Sequence, residues 1–125
     1  MIKQLLLVGI GGGAGSIARY LCQRWFANNF FSSFPWGTFT VNITGCFLIG
    51  VIYAIAEKTT FLSPETRLFL ITGLCGGFTT FSTFAFENMS LIKSGDLLYV
   101  LLYSLGSILL GIAAVFAGIT IIKIL

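Results

Sequence analysis

Histidine does not occur in this chain, and Glu57, Glu65, Glu87 and Asp96 are its only acidic residues. Proton transfer near neutral pH is usually run by histidine or by paired carboxylates. Neither is present, and no nucleophile has a base at useful spacing, so an enzyme is excluded. Charged residues make up 9% of the chain, too few for the surface of a soluble globular domain. Cysteine is sparse as well. Cys22, Cys46 and Cys75 lie far apart within apolar runs, odd in number and without metal-site spacing, and read as small packing residues. A net charge of +3 suits lipid headgroups, and nothing in its distribution points to nucleic acid.

What fills the space instead is apolar. Mean hydropathy is +1.00, and four stretches can each cross a hydrocarbon core of about 30 Å, which takes about 20 helical residues. They are predicted at about residues 3–24, 37–57, 65–92 and 97–123. Residues 1–18 have the outline of a signal peptide, with one lysine, an apolar core and small residues, but are expected to form the first membrane helix. The predicted architecture is an all-α, multi-pass membrane protein, with residues 1–125 as one transmembrane domain.

The third span carries the oddest stretch, residues 73–84. Gly76 and Gly77 stand side by side there, followed by hydroxyls and phenylalanines in alternation. Glycine inside a helix costs roughly 1 kcal/mol against alanine, so the helix is expected to break near residues 75–80. Carbonyls released in hydrocarbon need another partner, and a polar, aromatic-lined stripe beside them points to an ion site. Thr79, Thr83 and Glu87 follow at i, i+4, i+8, and Phe78, Phe81 and Phe84 recur every third residue. Such a phenylalanine stripe is ordinarily core packing. Here it follows a backbone break and is interleaved with Ser82 and Thr83, and the electropositive ring edge faces a small anion without trapping it. Glu87 reads either as the one acidic residue deep enough to count as intramembrane or, with Asn88 and Lys93 close behind it, as an interfacial one.

The other spans add polar groups at helical spacing. Thr38, Asn42 and Gly45 share a face of the second. An asparagine in hydrocarbon must satisfy its amide, either by interhelical hydrogen bonding or by turning a donor toward an anion. Tyr103 and Ser107 align their hydroxyls on the fourth span. In the first, Gly9/Gly13 and Gly11/Gly15 have the spacing that lets membrane helices approach closely. Arg19, a turn inside Arg24, reads as an anchor at a vestibule mouth or as an attractor of anions, roles that overlap. Residues 25–36 form an aromatic interfacial loop, and Ser63-Pro64-Glu65 a helix start.

Four spans put both termini on one side with Lys3, Lys58, Arg67 and Lys123, leaving Arg19, Arg24 and Lys93 opposite. So even a balance barely orients the chain. One reading is a single, weakly biased orientation. The other is insertion both ways and antiparallel self-pairing.

Three stretches, residues 12–20, 37–45 and 76–84, make the chain resemble the Fluc (CrcB-type) fluoride channels over essentially its whole length. The resemblance implies an antiparallel, dual-topology homodimer in the cell (inner) membrane, with two fluoride pathways. It also implies a structural sodium ion at the dimer axis, held by the Gly76 and Thr79 carbonyls of each subunit. Phe81 and Phe84 would form a ring-edge box, Asn42 would donate its amide, and Ser82 and Thr83 would flank the path. Tyr103 and Ser107 would continue a hydroxyl track, with Arg19 and Glu87 at the vestibule. Gly111, farther along that helix, supplies no hydroxyl. The expected function is passive, selective fluoride export. Alternatives are a small dual-topology antiporter of the multidrug type, disfavoured because the first span lacks a carboxylate, and a non-transporting membrane subunit.

Overall fold

A computed structural model describes residues 1–125, with no strand among them. Helix α1 (Ile2–Asn29) and α2 (Trp36–Lys58) are followed by α3 (residues 64–78), α4 (Ser82–Lys93) and α5 (Leu97–Ile124). Helices α3 and α4 together make one span, Pro64–Lys93, so four helical segments are long and apolar enough to cross a membrane. Large apolar side chains cover the outside, from Leu5 on α1 to Phe116 on α5, while the buried apolar residues are only Val41, Ala54, Cys75, Leu91 and Tyr103. That distribution belongs to a multi-pass membrane protein, whose exterior is solvated by lipid.

Local chemistry sets the helix ends. Ser63 Oγ accepts from the Thr66 N–H at 3.1 Å, Pro64 opens α3, and Glu65 faces the positive end of the helix dipole. After α4 the chain reverses at Gly95, at φ 79°, and the Asp96 N–H returns to the Leu91 carbonyl at 2.9 Å. A six-residue closure around a left-handed glycine is how many helices stop.

Packing follows the glycines. Helix α1 lies along α3 through Gly11 and Gly15, meeting Gly73 and Gly77. A Cβ on Gly11 would sit 2.6 Å from the Phe69 carbonyl oxygen, and one on Gly77 would overlap the Gly12 oxygen. Of the two expected pairs, Gly11/Gly15 makes this crossing, whereas Gly9 and Gly13 face open space within the protomer. Helix α2 packs on α5 in the same manner, with Gly50 against the Val115 backbone and Gly118 against Phe47. Small residues let backbones approach where lipid offers no hydrophobic drive.

The third span winds unusually. Residues Leu68–Cys75 adopt the wider π-helical turn, a winding often found at functional sites. The chain then stays helical through Gly76–Phe78 and leaves the helix at Thr79, at φ −90° and ψ 158°. The expected interruption near residues 75–80 therefore falls at its C-terminal end, over residues 79–81. The glycine pair does not itself part the helix. Gly77 is needed for contact with α1, and the break is made one turn later by a side chain of α2.

Candidate functional site

That side chain is Asn42. Its Nδ2 donates to the Thr80 carbonyl at 2.9 Å, and its Oδ1 accepts from the Thr80 N–H at 2.8 Å. One side-chain amide thus replaces the helical partners of both backbone groups of Thr80, which would otherwise be orphaned in hydrocarbon. One of the two Nδ2 hydrogens remains for another acceptor. Thr38, Asn42 and Gly45, the face predicted from spacing, all turn to the third span. Thr38 bonds Glu87, Asn42 bonds Thr80, and Gly45 leaves room for the Thr79 side chain.

The break redirects its amides. In a continuous helix the Thr80 N–H would close on the Gly76 carbonyl and the Thr83 N–H on that of Thr79. Instead the Thr80 N–H goes to Asn42, and the Thr83 N–H goes to Thr80 Oγ1 at 3.2 Å, capping the start of α4. The carbonyls of Gly76 and Thr79 are thereby left without their backbone donors. Two neighbouring carbonyls are occupied. That of Cys75 takes both the N–H and the Oγ1 of Thr79 at 3.0 Å, and that of Gly77 accepts from Arg19 Nε at 3.0 Å. Arg19 thus caps the C-terminal end of α3, where a cation suits the helix dipole. The Phe78 carbonyl is free as well, but only those of Gly76 and Thr79 belong to residues lining the neighbouring cavity, and there they offer hard oxygen ligands, a donor set that fits a monovalent cation such as sodium.

Beside them lies a cavity of about 390 Å³, lined by Asn42, Thr80, Phe81, Phe84 and Ser107 together with Gly76 and Thr79. The Phe81 and Phe84 rings are 5.8 Å apart, and Phe81 is 78% exposed on the protomer surface. Ser107 Oγ is the one buried side-chain polar atom without a hydrogen-bond partner. Ser82 and Thr83 both border Thr80, whose Oγ1 lies 3.4 Å from Ser82 Oγ and donates to Thr83 Oγ1 at 3.1 Å. Because the break separates Thr79 from Thr83 and Phe78 from Phe81, neither stripe is one continuous helix face.

Glu87 sits beyond Phe84, held directly from α5 and α2. Tyr103 OH donates to Oε1 at 2.9 Å, and Thr38 Oγ1 to Oε2 at 3.0 Å. Gln23 Nε2 on α1 donates in turn to Thr38 Oγ1 at 3.0 Å. The Tyr103 proton is therefore engaged with the carboxylate, while the Ser107 proton has no acceptor. Thr80 and Gln23 were not singled out from the residues. Thr80 is of a residue type that favours helix N-caps, and its hydroxyl accepts from the N–H three residues on, whereas nothing local marks Gln23, whose partner lies on another helix.

The chain matches the family model described as CrcB-like protein, Camphor Resistance (CrcB), over residues 6–119. Curated relatives named fluoride-specific ion channel FluC are similar along nearly their whole length. The one from Leptospira interrogans serogroup Icterohaemorrhagiae serovar copenhageni is 49% identical over 121 residues, 97% of this chain and 95% of the relative. That of Chlorobium phaeobacteroides is 50% identical over 123 residues, covering 98% and 95%. That of Chlorobaculum tepidum is 50% identical over 125 residues, covering 99% and 98%. With its four membrane-length helices and its interrupted third span, this chain belongs to the CrcB-like protein family.

Proposed function

We propose that this chain forms a fluoride-selective channel, a passive route for fluoride export across the cell (inner) membrane. The observation that carries the reading is the cavity shared by Phe81, Phe84, Asn42 and Ser107, in which a buried hydroxyl has no partner within the protein. Fluoride is small and strongly hydrated, so it needs replacement donors at close range. The Ser107 hydroxyl, the spare Asn42 N–H and the phenylalanine ring edges supply them. None of these groups carries a full charge, so binding stays weak enough for release. Selective binding without a basic side chain suits a channel better than a pump or an antiporter.

The working unit is an antiparallel homodimer of dual topology. Support comes from the exposed Phe81 ring, from the cavity that one protomer leaves open at its surface, and from the lysine and arginine balance of four against three. The second copy would complete each pathway and bring a second pair of Gly76 and Thr79 carbonyls to the axis. Those four oxygens would hold a structural sodium ion, which supplies fixed positive charge at the centre. Arg19 fits this arrangement by occupying the Gly77 carbonyl, while Gly76 and Thr79, whose carbonyls are free, line the cavity. Glu87 would then lie at the vestibule, with Arg19 bracing the break to which it leads.

The phenylalanine pair gives the sharpest test. In liposomes, Phe81→Ile and Phe84→Ile are each expected to cut fluoride efflux at least about tenfold, a change of about 1.4 kcal/mol in the barrier. Both should still elute as dimers. Wild-type efflux from both variants would take the rings out of the path.

A further inference from the structure

We propose that Phe34, in the connector between α1 and α2, is a positioning residue for the ion path, holding the Tyr103 ring that joins the Phe81–Phe84 pair to Glu87. This rests on the channel reading and extends it to a segment outside the membrane-spanning helices. In that connector Phe30 and Phe31 are exposed, whereas Phe34 is partly buried. Its ring packs edge-on against Tyr103 at 5.5 Å and 69°, and against Tyr99 at 5.7 Å and 87°. Two α2 rings, Trp36 at 4.5 Å and Phe39 at 5.7 Å, pack on it as well. The backbone is pinned as well, since the Phe34 carbonyl accepts from the Trp36 N–H at 2.9 Å and its N–H donates to Ser32 Oγ at 3.2 Å.

Tyr103 is what this arrangement holds. It is 0% exposed, with Phe84 at 4.8 Å on one side and Phe34 on another, and its hydroxyl is on Glu87. Phe81, Phe84, Tyr103 and Phe34 thus form an unbroken series of ring contacts from the break to the connector. Edge-to-face contacts are directional, because the ring edge is positive and its face negative. An aliphatic side chain would fill the volume without setting the Tyr103 plane. Phe34 also lines both cavities that border Glu87, one of about 180 Å³ toward Gln23 and one of about 390 Å³ toward Ser90 and Ser94. Ser32 and Pro35, its neighbours in the connector, line both as well.

The test is fluoride efflux from liposomes holding the full-length protein, with Phe81→Ile as reference. Phe34→Ala and Phe34→Leu are each expected to lose about tenfold in rate, while Phe34→Tyr stays within about twofold of wild type. In a Tyr103→Phe background, where no hydroxyl remains to be aimed, Phe34→Ala should cost less than about twofold further. Should Phe34→Ala fail to fold, the comparison of Phe34→Leu with Phe34→Tyr decides. Wild-type rates from Phe34→Ala, equal rates from the leucine and tyrosine variants, or full additivity with Tyr103→Phe would each overturn the assignment. If Phe81→Ile loses efflux and the Phe34 variants do not, this inference alone fails. If Phe81→Ile also runs at the wild-type rate, the channel reading fails with it.

Discussion

The amide of Asn42 gives both a donor and an acceptor to the backbone of one residue, Thr80, and so holds the third span open where lipid would otherwise drive it back to helix. Removing that amide leaves two backbone groups unpaired away from water, at about 1–3 kcal/mol for each. Asn42→Ala is therefore expected to lower the melting temperature of the purified protein clearly and to cut fluoride efflux with it. An unchanged melting temperature would mean that the break stands without the brace. The sequence shows that a membrane asparagine must be satisfied, and leaves open whether by another helix or by an anion. The geometry answers half of that: the oxygen and one N–H are engaged with backbone, and one N–H is spare. Glu87 is similar. Its depth is legible from spacing, but its partners Thr38 and Tyr103 are 49 and 16 residues away in sequence, beyond the reach of any periodicity.

Among the elements, glycines divide into those that touch backbone and those that do not. A Cβ on Gly77 would overlap the Gly12 oxygen, whereas Gly9 on α1 has nothing within 4 Å. Gly77→Ala should force α1 away from α3, lowering thermal stability and displacing the start of the break, while Gly9→Ala should leave the protomer's packing unchanged. Circular dichroism melts of the two variants check this, and equal melts would contradict the packing. The four spans were legible because membrane thickness fixes their length, and the Ser63 cap because its chemistry is local. The interruption was legible as an event. Its register was not, because glycine propensity points to residues 76 and 77 while the parting occurs where the Asn42 amide and the Thr80 hydroxyl reach the chain. The π-helical turn at Leu68–Cys75 had no signal in composition or period.

The whole molecule presents an apolar exterior, a small core and an open cavity whose Phe81 ring is largely uncovered. These features fit a unit completed by a second copy, and the near-even charge balance fits copies inserted in opposite senses. A tag added at either terminus should then be labelled by an impermeant reagent from both faces of the membrane. Labelling from one face only would rule out the antiparallel pair, and with it the four-carbonyl sodium site. The central claim is that this chain conducts fluoride selectively through a path of ring edges and hydroxyls. It is tested most directly by loading liposomes containing the purified protein with equal fluoride and chloride and following both anions with ion-selective electrodes. The account predicts rapid release of fluoride with chloride retained. Equal release of the two, or release of neither, would contradict it.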